Sequence, residues 1–223
     1  MTLFTTDGPP APATAEPNGS VVCFGAAEVA YAISLSAGVQ KRQAISFLQV
    51  DEAFLTEQII ALGASSLLAH GQLSLEGDVL NASGGVRLLA AALQTATRWT
   101  EIALINEEGT TAAVFISAPE LSIFLQPAAM STWELVVKAP IASDADMLMQ
   151  IVESNASRHP VGVTYFGTET ATSPKNHLFV RASENGAWDV ADVENADDER
   201  HTDGVSSEVL RARLGTFVEL PAQ

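Results

Sequence analysis

Basic residues are scarce in this chain of 223 residues. It has 11 Lys and Arg against 27 Asp and Glu, which gives a formal net charge of −16. Nucleic acids and anionic lipid surfaces are bound largely through Lys and Arg, and Lys41 and Arg42 are the only adjacent basic pair. The composition therefore predicts that the chain binds neither nucleic acid nor a membrane. The composition does not exclude binding to another protein.

Cysteine is nearly absent, and long apolar runs are missing. Cys23 is the only cysteine, so no intrachain disulfide can form. No stretch reaches the ~20 apolar residues that span a bilayer. The N-terminus also lacks the basic and apolar regions of a signal peptide. We therefore expect a cytoplasmic protein.

Motifs that carry catalysis or hold metals are missing as well. The four histidines, His70, His159, His177 and His201, do not lie at the spacing of a zinc site. No nucleophile elbow and no phosphate-binding glycine loop occurs. The sequence thus predicts no metal, no cofactor and no enzyme activity. A catalytic site assembled from distant residues is the alternative, and a pocket gathering His159 or His177 with carboxylates would favour it.

Acidic residues are concentrated near the C-terminus. Residues 184–203 hold eight of the 27 acids. Because it is acidic, the stretch 192–204 is predicted to be a mobile loop. The acids from Asp189 to Asp203 do not follow the spacing of a calcium-binding EF-hand loop, which favours a solvated loop over a calcium site. A divalent-ion site in this segment is the alternative.

The first 138 residues predict a proline-rich tail, then helices, then strands. Asp51 is expected to cap the helix at 52–69, and the period of the apolar residues changes from helical to alternating after Trp99. The predicted elements are a tail at 1–19, a strand at 20–24, a helix at 26–36, a strand at 44–50, a helix at 52–69, a tight turn at 76–78, a helix at 84–97, and strands at 101–105, 111–117, 121–126 and 132–138.

The rest of the chain predicts a second group of elements. Ser143 is expected to cap a helix that ends near Ser154 and Asn155. Strands at 161–166, 177–182 and 187–193 follow, with a hairpin turn at 184–186, and a helix at 206–214 completes the order. Because strands and helices do not alternate regularly, the fold class is α+β, with a central antiparallel sheet flanked by helices.

We expect a single domain over residues 20–223, with candidate halves at 20–139 and 140–223. Each half has helices and antiparallel strands, so a quasi-two-fold arrangement is one interpretation. The segment 51–117 also has the order of a winged helix, two helices and then a β-hairpin. Its acidic turn at Glu107 and Glu108 favours protein contact over DNA contact. A winged-helix-type transcriptional regulator is therefore the alternative function.

Three stretches resemble the ESX (type VII) secretion-associated, EspG-like chaperones of actinobacteria. They are listed here: Ala26–Val29; Ser66–Leu73 with Glu76–Asp78, Leu88–Leu93 and Arg98–Ile102; and His177–Arg181 with Glu184–Trp188 and Leu210–Leu214. The resemblance implies a cytosolic α+β chaperone with a quasi-two-fold sheet that holds the apolar tip of a helical secretion substrate. It therefore favours a non-enzymatic protein-binding module, whose oligomeric state the sequence leaves open.

The predicted binding groove lies beside the central strands. Its candidate residues are Phe115, Phe124, Gln126, Trp133 and Leu135. Because side chains alternate along a strand, only some of these can face one groove, and the sequence does not say which.

Overall fold

The computed structural model describes residues 21–139, 143–183, 186–195 and 198–218. The predicted tail at 1–19 and the predicted turn residues Glu184 and Asn185 lie outside the described residues. The helices are α1 Ala26–Ser34, α2 Gly38–Phe47, α3 Glu57–Ala69, α4 Gly84–Thr95, α5 Asp144–Arg158 and α6 Ser207–Val218. The strands are β1 Val22–Gly25, β2 Leu73–Glu76, β3 Val79–Ala82, β4 Arg98–Asn106, β5 Gly109–Ser117, β6 Ser122–Ala128, β7 Thr132–Val137, β8 Val163–Thr170, β9 Asn176–Ala182, β10 Trp188–Asn195 and β11 Asp198–Val205.

The predicted fold class is confirmed as α+β. Nine strands form an antiparallel sheet in the order β1-β7-β6-β5-β4-β8-β9-β10-β11, and β2 and β3 form a separate two-stranded sheet. The quasi-two-fold relation between halves stays a prediction. The described residues divide into two compact units: the first holds residues up to 99 together with 114–138, and the second holds 100–113 and the residues from 139 onward.

The first unit has one apolar core between its helices and one face of its strands. Buried residues recur at helical spacing, such as Val86, Leu89 and Leu93 on α4, and Val29 and Ile33 on α1. Alternate strand residues, listed as Phe24, Val114, Ile116, Ile123, Leu125 and Leu135, complete this core. The rings of Phe47 and Trp99 meet within it, with centroids 5.5 Å apart.

The second unit packs α5 and α6 on one face of β8, β9 and β10. The buried amide of Asn155 on α5 donates to Thr164 on β8, and Trp188 on β10 donates to Ser207 on α6. Ser143 caps α5 as predicted, because its hydroxyl accepts the amide of Asp146. The helix runs on to Arg158, beyond the predicted end.

The strand predicted at 44–50 is wrong, because helix α2 occupies Gly38–Phe47. The residues Ala44, Phe47 and Leu48 are buried together at the i, i+3, i+4 spacing of a helix. Alternation over a short apolar run cannot separate the two structures. Gln49, with φ of 51°, ends the helical path.

The cap at Asp51 belongs to a shorter element than predicted. Its carboxylate accepts the amide of Ala53 and caps a single 3₁₀ turn at Glu52–Phe54. Helix α3 starts at Glu57, where the hydroxyl of Thr56 accepts the amide of Ile59. The predicted helix at 52–69 is therefore two elements, because Asp51 caps the 3₁₀ turn and Thr56, five residues later, caps a separate helix.

The mobile loop predicted at 192–204 is also wrong. This stretch pairs β10 with β11, with Asp192 opposite Arg200 and Ala191 opposite His201. Arg213 on α6 donates to Asp192 and to Thr202. The described residues of this stretch therefore form two paired strands with register shifts between Trp188 and Val190 and between Val193 and Asn195, and β11 is the edge of the sheet. Residues 196 and 197 lie outside the described residues.

Candidate functional site

The two-stranded sheet is a tight hairpin. Leu73 pairs with Ala82, Leu75 with Leu80 and Glu76 with Val79. Gly77 occupies the first central position of the turn with φ of 62°, a conformation that favours glycine in two-residue hairpin loops. The turn predicted at residues 76–78 is confirmed.

The base of the hairpin is fixed to the neighbouring helices. Helix α3 ends in a Schellman motif, in which the amide of Gly71 bonds to the carbonyl of Leu68 and that of Gln72 to Leu67. The side-chain oxygen of Gln72 then accepts the amide of Val86 at 2.9 Å. This bond caps α4, whose expected cap, Ser83, instead donates its hydroxyl to the carbonyls of Gly71 and Gln72.

Apolar side chains are exposed beyond this anchored base. Leu73 is buried, but Leu75 and Val79 are each 61% exposed and Leu80 is 40% exposed. Glu76 precedes the turn, Asp78 occupies its second central position, and both are exposed. We call Leu75, Glu76, Asp78, Val79 and Leu80 the hairpin surface; Leu75 and Leu80 lie on one face of the hairpin and Val79 on the other. Its exposure is unusual because Leu73 and Ala82 of the same hairpin pack in or against the core, whereas three apolar residues beyond them keep much of their area in water.

Helix α3, which contacts β2, adds to the exposed apolar area of the first unit. Leu62 and Leu68 on this helix are 55% and 39% exposed. Its other face is buried against α1, where Gly63 and Leu67 lie. The helix and the hairpin therefore both keep apolar residues in contact with water.

Charge of one sign predominates in the chain segment that contains these apolar residues. From Gln43 to Val86 the chain has five acids and no Lys or Arg. The acids are Asp51, Glu52, Glu57, Glu76 and Asp78, and all five are exposed. The region can therefore offer apolar contact and negative charge together.

The predicted groove residues do not share one surface. Phe115 and Phe124 pair across β5 and β6 with ring centroids 4.7 Å apart, on the face opposite the helical core. Gln126 follows Phe124 by two residues and lies on that same face. Trp133 and Leu135 lie on the other face, where Leu135 belongs to the core and Trp133 packs against it.

Burial further limits the predicted groove. Phe115 is fully buried and Leu135 is 2% exposed, so neither can contact a partner without a rearrangement. Phe124, Gln126 and Trp133 are partly exposed. The five residues therefore do not form one groove, although a binding role for the partly exposed ones stays a prediction.

A second notable region lies on the face of the second unit opposite α5 and α6. There Tyr165 and His177 face each other across β8 and β9, and the Tyr165 hydroxyl lies 2.8 Å from His177 Nδ1. Burial raises the pKa of Tyr165 to about 12, and the charge of Glu101 acts in the same direction. Burial, together with the charge of Lys175, lowers the pKa of His177, and Glu101 opposes this shift.

These pKa directions indicate a neutral pair at neutral pH. The Tyr165 hydroxyl stays protonated and the imidazole stays uncharged, so Tyr165 supplies no ionised base. Lys175 and Glu101 form an ion pair beside them at 2.5 Å. The arrangement brings His177 near a carboxylate, as the enzyme alternative requires, but each charged group already has a partner.

A shallow cavity of about 410 Å³ opens on the same strands. Val163, Phe179, Ala191 and Val193 supply its apolar lining, and Val180 and the ion pair of Arg181 and Asp189 complete it. His177 is not among these lining residues. The cavity therefore does not gather the histidine with the carboxylate.

Two classes of structure are absent from the described part of the chain. No group of three or more His, Cys, Asp or Glu side chains there could hold a metal ion. No helix among the described residues is long and apolar enough to cross a membrane.

The comparison with known proteins yields no relative. No protein-family model matches the chain, and no curated protein matches it.

Sequence reasoning found the turn of the hairpin but missed its surface. Leu75, Val79 and Leu80 were overlooked because a short apolar run beside a turn usually enters a core. One signal in the sequence could have indicated them: they lie in a stretch, from Gln43 to Val86, that contains no Lys or Arg.

Proposed function

We propose that this chain is a non-enzymatic cytoplasmic module that binds another protein, and that the hairpin surface is where it does so. The observation that carries the proposal is the exposure of Leu75, Val79 and Leu80 on a hairpin whose base is firmly anchored. Exposed apolar residues grouped on one element are typical of interaction sites. Their hydration costs free energy that a partner recovers on binding.

The resemblance to the EspG-like chaperones suggests what kind of module this is. Those chaperones hold helical secretion substrates, and Leu73 and the turn at residues 76–78 of the hairpin belong to one of the stretches that carry the resemblance. We therefore propose a secretion-associated chaperone or adaptor, whose partner is a helical segment of another protein. An apolar surface suits the apolar face of such a helix.

The alternatives have less support. A winged-helix regulator would need β4 and β5 as a free wing, yet both strands have neighbours on each side within the nine-stranded sheet. An enzyme with a dispersed site would need a free acid or base near a pocket. The groups nearest to this description, His177 and Glu101, lie outside the lining of the cavity.

Affinity capture from the native cytoplasm tests the proposal. The wild-type chain is compared with L75D/L80D, which adds charge to the hairpin surface, and with V161D/V209D. Val161 and Val209 are 68% and 55% exposed in the second unit, so this control adds the same charge at similar exposure. We expect a stoichiometric partner with the wild type and the control, and a loss of at least tenfold with L75D/L80D.

Melting temperature and circular dichroism spectra verify that all three proteins are folded. Equal recovery of the partner by L75D/L80D and the wild type would sink the proposal. Recovery of no stoichiometric protein by the wild type would sink it as well.

A further inference from the structure

We infer that the partner segment is basic as well as apolar: it carries Lys or Arg next to the apolar residues that contact the hairpin surface. This inference rests on the proposed function and adds the chemistry of the partner. It follows from Glu76 and Asp78, the two exposed acids at the tip of the hairpin, because their charges influence which apolar segments can bind there.

The hairpin surface places acids beside apolar residues at close range. Leu75 and Leu80 are directly opposite each other on one face, and Val79 pairs with Glu76 on the other. Asp78 lies within the turn itself. An apolar group that covers Val79 therefore comes close to the Glu76 carboxylate, because paired strand residues lie ~5 Å apart, and a segment that covers the tip of the hairpin also meets Asp78.

The acids farther along the chain do not add to this charge. Glu57 lies in the first turn of α3, ~18 Å along the helix axis from its last residue, Ala69, and Asp51 and Glu52 precede it. His70 lies 3.5 Å from the buried carboxylate of Glu28, and exposed Arg87 follows the hairpin in the first turn of α4. The negative charge of the hairpin is thus that of Glu76 and Asp78 at its tip.

These charges act against acidic partners. Like charges brought together at an interface weaken binding, whereas complementary charges speed association and select the partner. A neutral apolar segment would gain only the apolar contact. A segment with an apolar stripe flanked by Lys or Arg gains the apolar contact and the attraction between opposite charges. The hairpin surface therefore favours a basic segment as its partner.

The test uses two synthetic amphipathic peptides as probes. Both carry the same leucine stripe, one with Lys and Arg on its polar face and the other with Glu. Dissociation constants are measured by fluorescence anisotropy at low and high salt. We expect the wild-type chain to bind the basic peptide at least tenfold more tightly than the acidic one, with a loss of affinity as salt screens the charges.

Charge reversal on the chain supplies the matched comparison. The variant E76K/D78K reverses the hairpin turn, and E107K/E108K reverses an equally acidic and exposed turn between β4 and β5. We expect E76K/D78K to weaken binding of the basic peptide roughly tenfold, because it replaces two attractive charge contacts with repulsive ones. The control should change it less than threefold.

Three results would overturn the inference: equal binding of the two peptides, no binding of either, or equal effects of the two charge reversals. The proposed function is judged separately by affinity capture. If L75D/L80D loses the captured partner while E76K/D78K keeps it in full, the chain binds a protein through the hairpin but the partner is not selected by positive charge.

Discussion

Asp189 shows how a single acid is used within the acidic second unit. Its side chain is almost buried on β10, and it accepts hydrogen bonds from the Arg181 guanidinium at 3.1 and 3.2 Å and from the amide of Gly204 at 3.3 Å. Desolvation would raise the pKa of Asp189. The hydrogen bonds from Gly204, Ser183 and Arg181 and the positive charge of Arg181 outweigh it and lower the pKa below its ordinary value of 3.8.

This shift predicts how stability depends on pH. Because the pKa of Asp189 is lower in the folded chain than in the unfolded chain, the carboxylate stabilises the fold above about pH 3.8, and that stability is lost as the pH falls through the folded pKa. We expect D189N to melt at a lower temperature than the wild type at pH 7. The difference should shrink at pH 3.

Thermal melting at the two pH values measures this effect. The control is E107Q, which removes an exposed carboxylate from the same unit and should melt like the wild type at both. A difference between D189N and the wild type that is as large at pH 3 as at pH 7 would show that Asp189 acts through its shape rather than its charge.

At the scale of elements, the packing of α1 on α3 depends on a close backbone approach. A Cβ atom at Gly63 on α3 would overlap the carbonyl group of Ala27 on α1. Beside this contact, Glu28 on α1 accepts hydrogen bonds from Ser66 and from the amide of Gly25. The two helices therefore pack together only with a residue as small as glycine at position 63.

A pair of glycine substitutions tests this packing. We expect G63A to destabilise the chain by about 3 kcal/mol, because the clash is with backbone that cannot rotate away. Gly215 on α6 has room, since an added Cβ would lie 3.7 Å from Ala145 Cβ. G215A should therefore stabilise by up to about 1 kcal/mol, the usual gain from Gly to Ala within a helix.

Urea denaturation of both variants supplies the measurement. If G63A costs less than 1 kcal/mol, or if G215A costs as much as G63A, the close contact between α1 and α3 does not have the importance that we assign to it.

The elements that the sequence predicted well have strong local signals. The hydroxyl of Ser143 fixes the start of α5, and Gly77 fixes the hairpin between β2 and β3. Those predicted wrongly depend on distant contacts. Helix α2 owes its form to burial of Ala44, Phe47 and Leu48, and β11 is ordered by Arg213 and by pairing with β10.

At the scale of the whole molecule, the net charge of −16 has two different roles. In the second unit, acids such as Asp189 and Asp192 are paired with Arg181 and Arg213. In the first unit, Glu76 and Asp78 stand beside exposed apolar residues at the tip of the hairpin. Composition alone could not separate these roles, because it counts charges without their neighbours.

The sequence also misplaced part of the candidate binding site, because it does not show which residues the fold covers. The sequence could predict a protein-binding role from what it lacks, but it placed the groove at Phe115 and Leu135, which the fold buries. Whether an apolar strand residue is covered depends on which helices pack over it. Leu75 and Leu80 look like core residues in the sequence and become a surface only because their hairpin extends beyond the core.

Site-specific photo-crosslinking in cells of the native host tests the central claim most directly. A photoreactive amino acid replaces Leu80 in one strain and Val161 in another, and the adducts are identified by mass spectrometry. We predict that position 80 crosslinks to one other protein of the host, through a segment with apolar and basic residues, and that position 161 does not. Absence of adducts at position 80, adducts only with another copy of this chain, or the same adducts at both positions would contradict the claim.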